Sequence, residues 1–164
     1  MNALAAAFAA LALASAVPPM PARDVRWILG PAQVELLPGR VRCALPGEVA
    51  IAAGAQARAI LQLVAGTSDG TELAVVSPTD AGRRWYVVLG WEPGVAGAPR
   101  RWSVTSAGKG DAAVVNEHVR LPGAGGALRV TLVAPAPELA GARAQLERIL
   151  DGLRLSDPRT RARR

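Results

Sequence analysis

The sequence has few of the side chains from which metal sites and disulfides are built. Its 164 residues include a single cysteine, Cys43, and a single histidine, His118. An intramolecular disulfide is therefore excluded, and so is a structural zinc site with four cysteine or histidine ligands. A hard cation needs clustered carboxylates, whereas the aspartates and glutamates here are scattered along the chain. We therefore expect no metal site and no cofactor.

Neither Cys43 nor His118 lies in a sequence that is typical of a catalytic group. Apolar and charged residues alternate from Arg40 to Leu45, which predicts a strand with Cys43 on its buried face. We interpret Cys43 as a small buried apolar residue and His118 as an ordinary strand residue. A nucleophile needs a base and an orienting group at hydrogen-bond distance, and no motif places such groups around either residue. An enzyme that uses Cys43 or His118 is kept as the second alternative.

Lysine is almost absent, and arginine accounts for nearly all of the positive charge behind a formal net charge of +6. Four of the arginines lie close together near the end of the sequence: Arg159, Arg161, Arg163 and Arg164. We interpret residues 156–164 as a basic flexible tail that either contacts an anionic surface or keeps the terminus soluble. The rest of the chain is only mildly basic, so composition makes no strong case for nucleic-acid binding.

No stretch contains the roughly 20 consecutive apolar residues that a transmembrane helix needs, so we predict none. The apolar run from Leu4 to Ala14 is followed by Ser15 and Ala16, a pattern typical of a secretory signal peptide. We predict a signal peptide over residues 1–16, with cleavage after Ala22 as the alternative, and a periplasmic or secreted protein. The other interpretation is an alanine-rich helix of the fold or a misplaced start codon.

Hydrophobic periodicity predicts a single α+β domain over residues 24–155. Apolar residues recur at helical spacing in two segments, residues 53–65 and 138–152. Short apolar segments bounded by proline, glycine and polar turns predict strands over residues 32–36, 40–45, 72–77, 84–91, 101–105, 113–121 and 128–134. Their hairpin-length connections indicate an antiparallel sheet of about six or seven strands, with two helices packed on it.

Aromatic residues other than tryptophan are scarce, with one Phe and one Tyr against four Trp. Trp91 and Trp102 flank a loop rich in proline and glycine, residues 92–99. We predict that these two side chains line a groove for an apolar or peptide ligand. Packing of the tryptophans in the core and at its rim is the alternative.

Residues 27–36 begin with a Trp-x-x-Gly-Pro motif, and Gly90-Trp91 is followed by Trp102 after a loop that contains proline. These motifs resemble the opening strand and a Gly-Trp…Trp segment of a family of bacterial membrane-anchored proteins that is defined as a domain of unknown function. Asn116 and Arg120 resemble its Asn-x-x-x-Arg hairpin, and the resemblance adds both residues to the candidate groove. It implies an envelope location but no reaction. Relative to that family, we expect a shortened form without the acidic motif and the C-terminal anchor.

Together, these observations predict an exported, non-catalytic binding or protein-interaction module of the cell envelope. Its partner would be an envelope protein or a peptide. The first alternative is a basic protein that binds anionic surfaces through its arginine tail.

Overall fold

The computed structural model describes residues 25–106 and 113–156. The predicted signal peptide and the tail beyond Ser156 lie outside the described residues, so both stay predictions. The elements follow in this order: β1 (Ile28–Leu29), β2 (Ala32–Leu37), β3 (Val41–Leu45), β4 (Val49–Ala53), α1 (Ala55–Ala65), β5 (Glu72–Pro78), β6 (Tyr86–Pro93), β7 (Arg100–Ser106), β8 (Val114–Gly123), β9 (Gly126–Pro135), a 3₁₀ turn (Ala136–Glu138), α2 (Leu139–Gly152) and β10 (Leu153–Leu155).

Seven of the strands form one antiparallel sheet, which we call the large sheet, in the order β1-β4-β5-β6-β9-β8-β7. The other three form the small sheet, in the order β10-β3-β2. Every pairing in the two sheets is antiparallel. The predicted α+β class and an antiparallel sheet of seven strands are therefore confirmed, but β2 and β3, which were predicted as part of that sheet, belong to the small sheet.

The large sheet has two distinct faces, because successive side chains along a strand point to opposite sides. On the first face, Val87, Leu89 and Val130 pack with the small sheet and α2 in the main hydrophobic core. On the second face, Tyr86 and Val88 pack against α1 in a smaller core. The large sheet is thus covered by the small sheet and α2 on one side and by α1 on the other.

Both helices bury the apolar stripe that their periodicity predicts. Helix α1 buries Ala57, Ile60 and Leu61, and it ends at Gly66. The φ angle of Gly66 is 69°, a left-handed conformation that glycine adopts without strain. The buried residues of α2 are Ala142, Leu146 and Ile149. Within the described residues, no helix is long and apolar enough to cross a membrane.

Hydrophobic periodicity did not predict three short strands, β1, β4 and β10, of which β1 lies within the residues 27–36 that the resemblance gave as a strand. The strand β4 is rich in alanine and buried on both faces, so it lacks the alternation that marks a half-buried strand. The strand β10 follows α2 without a loop, and Leu153 continues the apolar spacing of that helix. The strands β8 and β9 are longer than predicted, because they extend to Gly123 and Gly126 and leave a two-residue turn.

Candidate functional site

The structure does not bring Trp91 and Trp102 together in one groove. Trp91, in β6, is 7 % exposed and belongs to the core on the first face. Trp102, in β7, stacks on His118 on the second face. The strands β9 and β8 lie between β6 and β7 in the sheet. Two residues that flank one loop are therefore separated both by intervening strands and by the sheet itself.

The other three predicted groove residues, Trp102, Asn116 and Arg120, share the second face. Trp102 lies directly opposite His118 in the register of β7 with β8. The centroids of these two rings are 5.0 Å apart, with 20° between the ring planes. We call this part of the second face the Trp102 face, formed by Arg100, Trp102, Val104, Asn116, His118, Arg120, Arg129 and Thr131.

Two guanidinium groups flank the indole at the centre of the Trp102 face. The Arg100 and Arg120 guanidinium carbons lie 5.8 Å and 5.7 Å from the centroid of the Trp102 ring. Both distances are within the range of a cation–π contact. Trp102 is half-buried, so part of its ring stays accessible beside these cations. The arrangement is a partly exposed aromatic platform with positive charge at its rim.

His118 is buried against the Trp102 ring, and its surroundings do not favour a role in proton transfer. It is 6 % exposed, and its Nδ1 lies 3.0 Å from Thr131 Oγ1. Burial and the nearby charge of Arg129 lower the pKa of His118 below its usual value of about 6.5. The neutral ring is therefore favoured at physiological pH, which suits stacking against Trp102.

Cys43 and His118 lie on opposite sides of the large sheet. Cys43 packs in the core on the first face, together with Val119. His118 precedes Val119 in β8, so its side chain points to the second face. Cys43 is 1 % exposed, which confirms that it is a small buried residue, and burial raises the pKa of its thiol to about 11. The two residues do not form a nucleophile–base pair.

An ion-pair network that the sequence did not indicate involves two arginines of the Trp102 face, Arg120 and Arg129. Arg129 Nη2 lies 3.0 Å from Asp69 Oδ2, and Arg129 Nη1 lies 3.6 Å from Glu92 Oε1. Arg120 Nε lies 2.9 Å from Glu92 Oε2, and Arg120 Nη2 donates a hydrogen bond to Glu92 Oε1 at 3.4 Å. Arg120 and Arg129 are therefore engaged within the fold, and they position the rim of the platform.

Two polar side chains of the Trp102 face, Arg100 and Asn116, have fewer partners than Arg120 and Arg129. Arg100 is exposed, no carboxylate of the described chain pairs with its guanidinium group, and that group lies over the Trp102 ring. Asn116 is 3 % exposed, and its Oδ1 accepts no hydrogen bond from the described residues. Val104, directly opposite Asn116, is 51 % exposed. Beyond Trp102 along β7, the Trp102 face therefore presents exposed, apolar Val104. Directly opposite it lies the buried acceptor Asn116 Oδ1, which has no hydrogen bond within the described residues.

The strand that carries Trp102 and Val104 forms one edge of the large sheet. All seven residues of β7, from Arg100 to Ser106, pair with β8 in one continuous register. In the described ranges, no strand pairs with the other edge of β7. Its outer backbone groups therefore offer donors and acceptors to an added strand.

Metal ligands do not converge at this site or elsewhere in residues 25–106 and 113–156, where no group of three or more His, Cys, Asp or Glu residues could hold an ion. The four predicted tail residues, Arg159, Arg161, Arg163 and Arg164, lie outside the described residues. Comparisons with protein-family models, curated proteins and solved structures found no match to this chain.

Proposed function

We propose that this protein is an exported, non-catalytic protein-interaction module that binds an extended peptide segment of an envelope protein along β7. One observation carries the proposal: β7 is a regular edge strand that displays Trp102 and Val104 on the same face. Peptide binding by strand addition uses such an edge, because main-chain hydrogen bonds give affinity and alternate side chains give specificity.

The composition of β7 supports this role. Edge strands are commonly protected from pairing by proline, lysine or a bulge. Residues 100–106 contain neither proline nor lysine, and the register with β8 has no bulge. The two arginines at the start of β7 are the only charges on the strand. Most of its length is therefore left open to a partner.

Side chains on the two faces of β7 indicate what the peptide would contain. On the second face, Trp102 and Val104 favour aromatic or β-branched residues at alternate positions of the added strand. Arg100, which has no carboxylate partner in the described chain, favours an acidic residue near one end. On the first face, Arg101 is already paired with Glu147 at 2.6 Å and with Glu117 at 3.5 Å.

The proposed envelope location rests on the sequence. The apolar run and the small residues up to Ala16 support export, and the resemblance to membrane-anchored envelope proteins agrees with it. Cell fractionation followed by intact-mass measurement tests this point. A periplasmic species that begins at Val17 or Arg23 is the expected result, whereas a cytoplasmic species that retains Met1 would contradict export.

Selection of peptides from a random display library on the purified protein tests the binding element. The affinity of a selected peptide is measured by fluorescence anisotropy for the wild type, Val104→Lys and the control Leu63→Lys. Leu63 lies on α1 and is 75 % exposed, so the control places the same charge on a comparably exposed apolar position away from β7.

We expect Val104→Lys to weaken binding by about fivefold or more, because it removes an apolar cross-strand contact and adds a charge. Leu63→Lys should leave the affinity unchanged. Hydrogen exchange should show that the peptide protects backbone amides within residues 100–106. Selected peptides that protect a different surface, or that bind both variants equally, would refute β7 as the binding element.

A further inference from the structure

The sequence of β7 is compatible with antiparallel pairing of this strand with a second copy of itself. Ser103 is the central residue of the seven from Arg100 to Ser106. A two-fold axis at Ser103 places every residue of the strand opposite a residue of the second copy. An axis at Trp102 or at Val104 would pair only five of the seven residues. The axis at Ser103 therefore gives the longest symmetric pairing.

The axis at Ser103 also brings together the apolar side chains of the second face. It places Trp102 of each copy directly opposite Val104 of the other copy. Val104 is 51 % exposed and Trp102 is half-buried, so both side chains have apolar surface left to cover. An aromatic residue opposite a β-branched residue is among the pairs that stabilise an antiparallel sheet. Because of the symmetry, this favourable pair forms twice.

The same axis keeps the positive charges of the two strands apart. Arg100 and Arg101 lie opposite residues 106 and 105 of the second copy, which are serine and threonine, so no like charges are directly opposed. Six residues of strand, about 20 Å, separate Arg100 from its symmetry equivalent. This distance exceeds the Debye length of about 8–10 Å, so the repulsion between them is screened. Arg101 is already paired with Glu147 of its own copy at 2.6 Å.

We propose that two copies of this protein associate through their β7 strands into a symmetric dimer. The two large sheets, of seven strands each, then continue into one another as a single sheet. An exposed, regular edge strand is a template for pairing with another chain. A second copy fits this template because every residue is paired, the exposed apolar side chains are covered and the arginines lie at the two ends of the interface.

The dimer and an added peptide strand require the same backbone groups of β7, so they exclude each other. This consequence rests on the proposed function, whereas the dimer itself does not. Only the monomer is competent to bind the peptide, and the apparent affinity for the peptide therefore falls with the fraction of protein that is dimeric. Self-association would thus regulate the peptide site through the concentration of the protein.

Disulfide cross-linking of the purified full chain tests the position of the axis. Ser103→Cys places two thiols directly opposite each other, with Cα atoms about 4.5–5.5 Å apart, a distance that a disulfide spans. The control Thr105→Cys lies at an exposed position on the same face of β7, but four residues of strand, about 13 Å, separate the two thiols. The native Cys43 is 1 % exposed and should not compete with either thiol.

We expect Ser103→Cys to form a covalent dimer on mild oxidation at least about tenfold faster than Thr105→Cys. Sedimentation equilibrium of the wild type should show a mass that rises with concentration from one copy to two. Val104→Lys should weaken this self-association by about tenfold or more, because it removes two apolar pairs from each dimer. The control Leu63→Lys, on α1, should self-associate like the wild type.

Three outcomes would overturn the dimer. They are a wild type that stays monomeric up to its solubility limit, equal cross-linking of Ser103→Cys and Thr105→Cys, and self-association that Val104→Lys leaves unchanged.

Peptide binding separates this proposal from the proposed function. The oxidised Ser103→Cys dimer should not bind a selected peptide, whereas its reduced form should bind, and equal binding by both forms would refute the competition. A monomeric wild type whose residues 100–106 are protected by a peptide would overturn the dimer and leave the proposed function standing. A cross-linked dimer with no selectable peptide would support the dimer and refute the proposed function.

Discussion

Substitution of Gly152 by alanine should destabilise the protein far more than the addition of one methyl group suggests. Gly152 is the last residue of α2, and the chain passes directly from it into β10. A Cβ atom at Gly152 would lie 2.1 Å from the carbonyl oxygen of Ala44 and 3.1 Å from its carbonyl carbon. Both atoms belong to the backbone of β3, so no side-chain rotation can relieve the contact.

The size of the destabilisation depends on which strands would have to move to make room for the added Cβ atom. Overpacking costs typically about 1–3 kcal/mol, because side chains leave their preferred rotamers and the backbone shifts. Here either β3 must shift or β10 must leave it, and β3 is the central strand of the small sheet. We therefore expect Gly152→Ala to lower the free energy of unfolding by about 3 kcal/mol, the upper end of that range.

Gly141 in the same helix provides a matched control. It is exposed, and a Cβ atom there would meet nothing within 4 Å. Glycine within a helix is less favourable than alanine by about 0.5–1 kcal/mol. Because Gly141 lies in the first turn, we expect Gly141→Ala to stabilise the protein by about 0.5 kcal/mol, at the lower end of this range.

Urea unfolding followed by tryptophan fluorescence measures both effects. With a slope of about 1.5 kcal/mol per molar urea, the midpoint should fall by about 2 M for Gly152→Ala and rise by about 0.3 M for Gly141→Ala. A midpoint for Gly152→Ala at or above that of the wild type would refute the close approach of α2 to β3. Equal shifts for both glycines would refute the link between the effect and Ala44.

Two further predictions concern buried groups of the core. Burial alone would raise the pKa of Glu117, yet Arg143 and Arg101 hold this pKa below its usual value of 4.5. The ionised Glu117 side chain therefore stabilises the fold at neutral pH, and this stabilisation is lost as the pH falls through the lowered pKa. The unfolding midpoints of Glu117→Gln and wild type should therefore differ at pH 7 and converge in acid, whereas a gap that stays constant with pH would contradict the shift. Because burial raises the pKa of Cys43 to about 11, iodoacetamide at pH 8 should label the native thiol at least about 100-fold more slowly than the urea-unfolded thiol, and equal rates would show that Cys43 is accessible.

Local patterns in the sequence were sufficient for the hairpins of the large sheet and insufficient for the small sheet. Pro78 ends β5 and the turn that follows it contains aspartate and glycine, and the turn between β8 and β9 contains glycine, so both connections could be recognised. In contrast, β10 pairs with β3 across more than a hundred residues, with Leu153 opposite Cys43. No periodicity within a segment specifies a partner at that distance, because pairing of this kind depends on the packing of the whole domain.

The outcome at the candidate site depends on strand order and register. Trp91 and Trp102 were grouped because they flank one loop, but a loop fixes neither the order of strands in the sheet nor the face to which each side chain points. Trp102, His118 and Thr131 are far apart in sequence, yet two antiparallel pairings place them in one row across three strands.

The part of that row on β8 and β9 could have been found from the β8–β9 turn alone. In an antiparallel hairpin, each step away from the turn on one strand matches one step on the other. Given a two-residue turn at Ala124-Gly125, His118 must lie opposite Thr131, and Arg120 opposite Arg129. The polar residues that alternate with apolar ones in β9 then fall on one face, beside the residues of β8 that were already candidates. The position of this two-residue turn thus determines which side chains of β8 and β9 lie on the same face as Trp102 of β7.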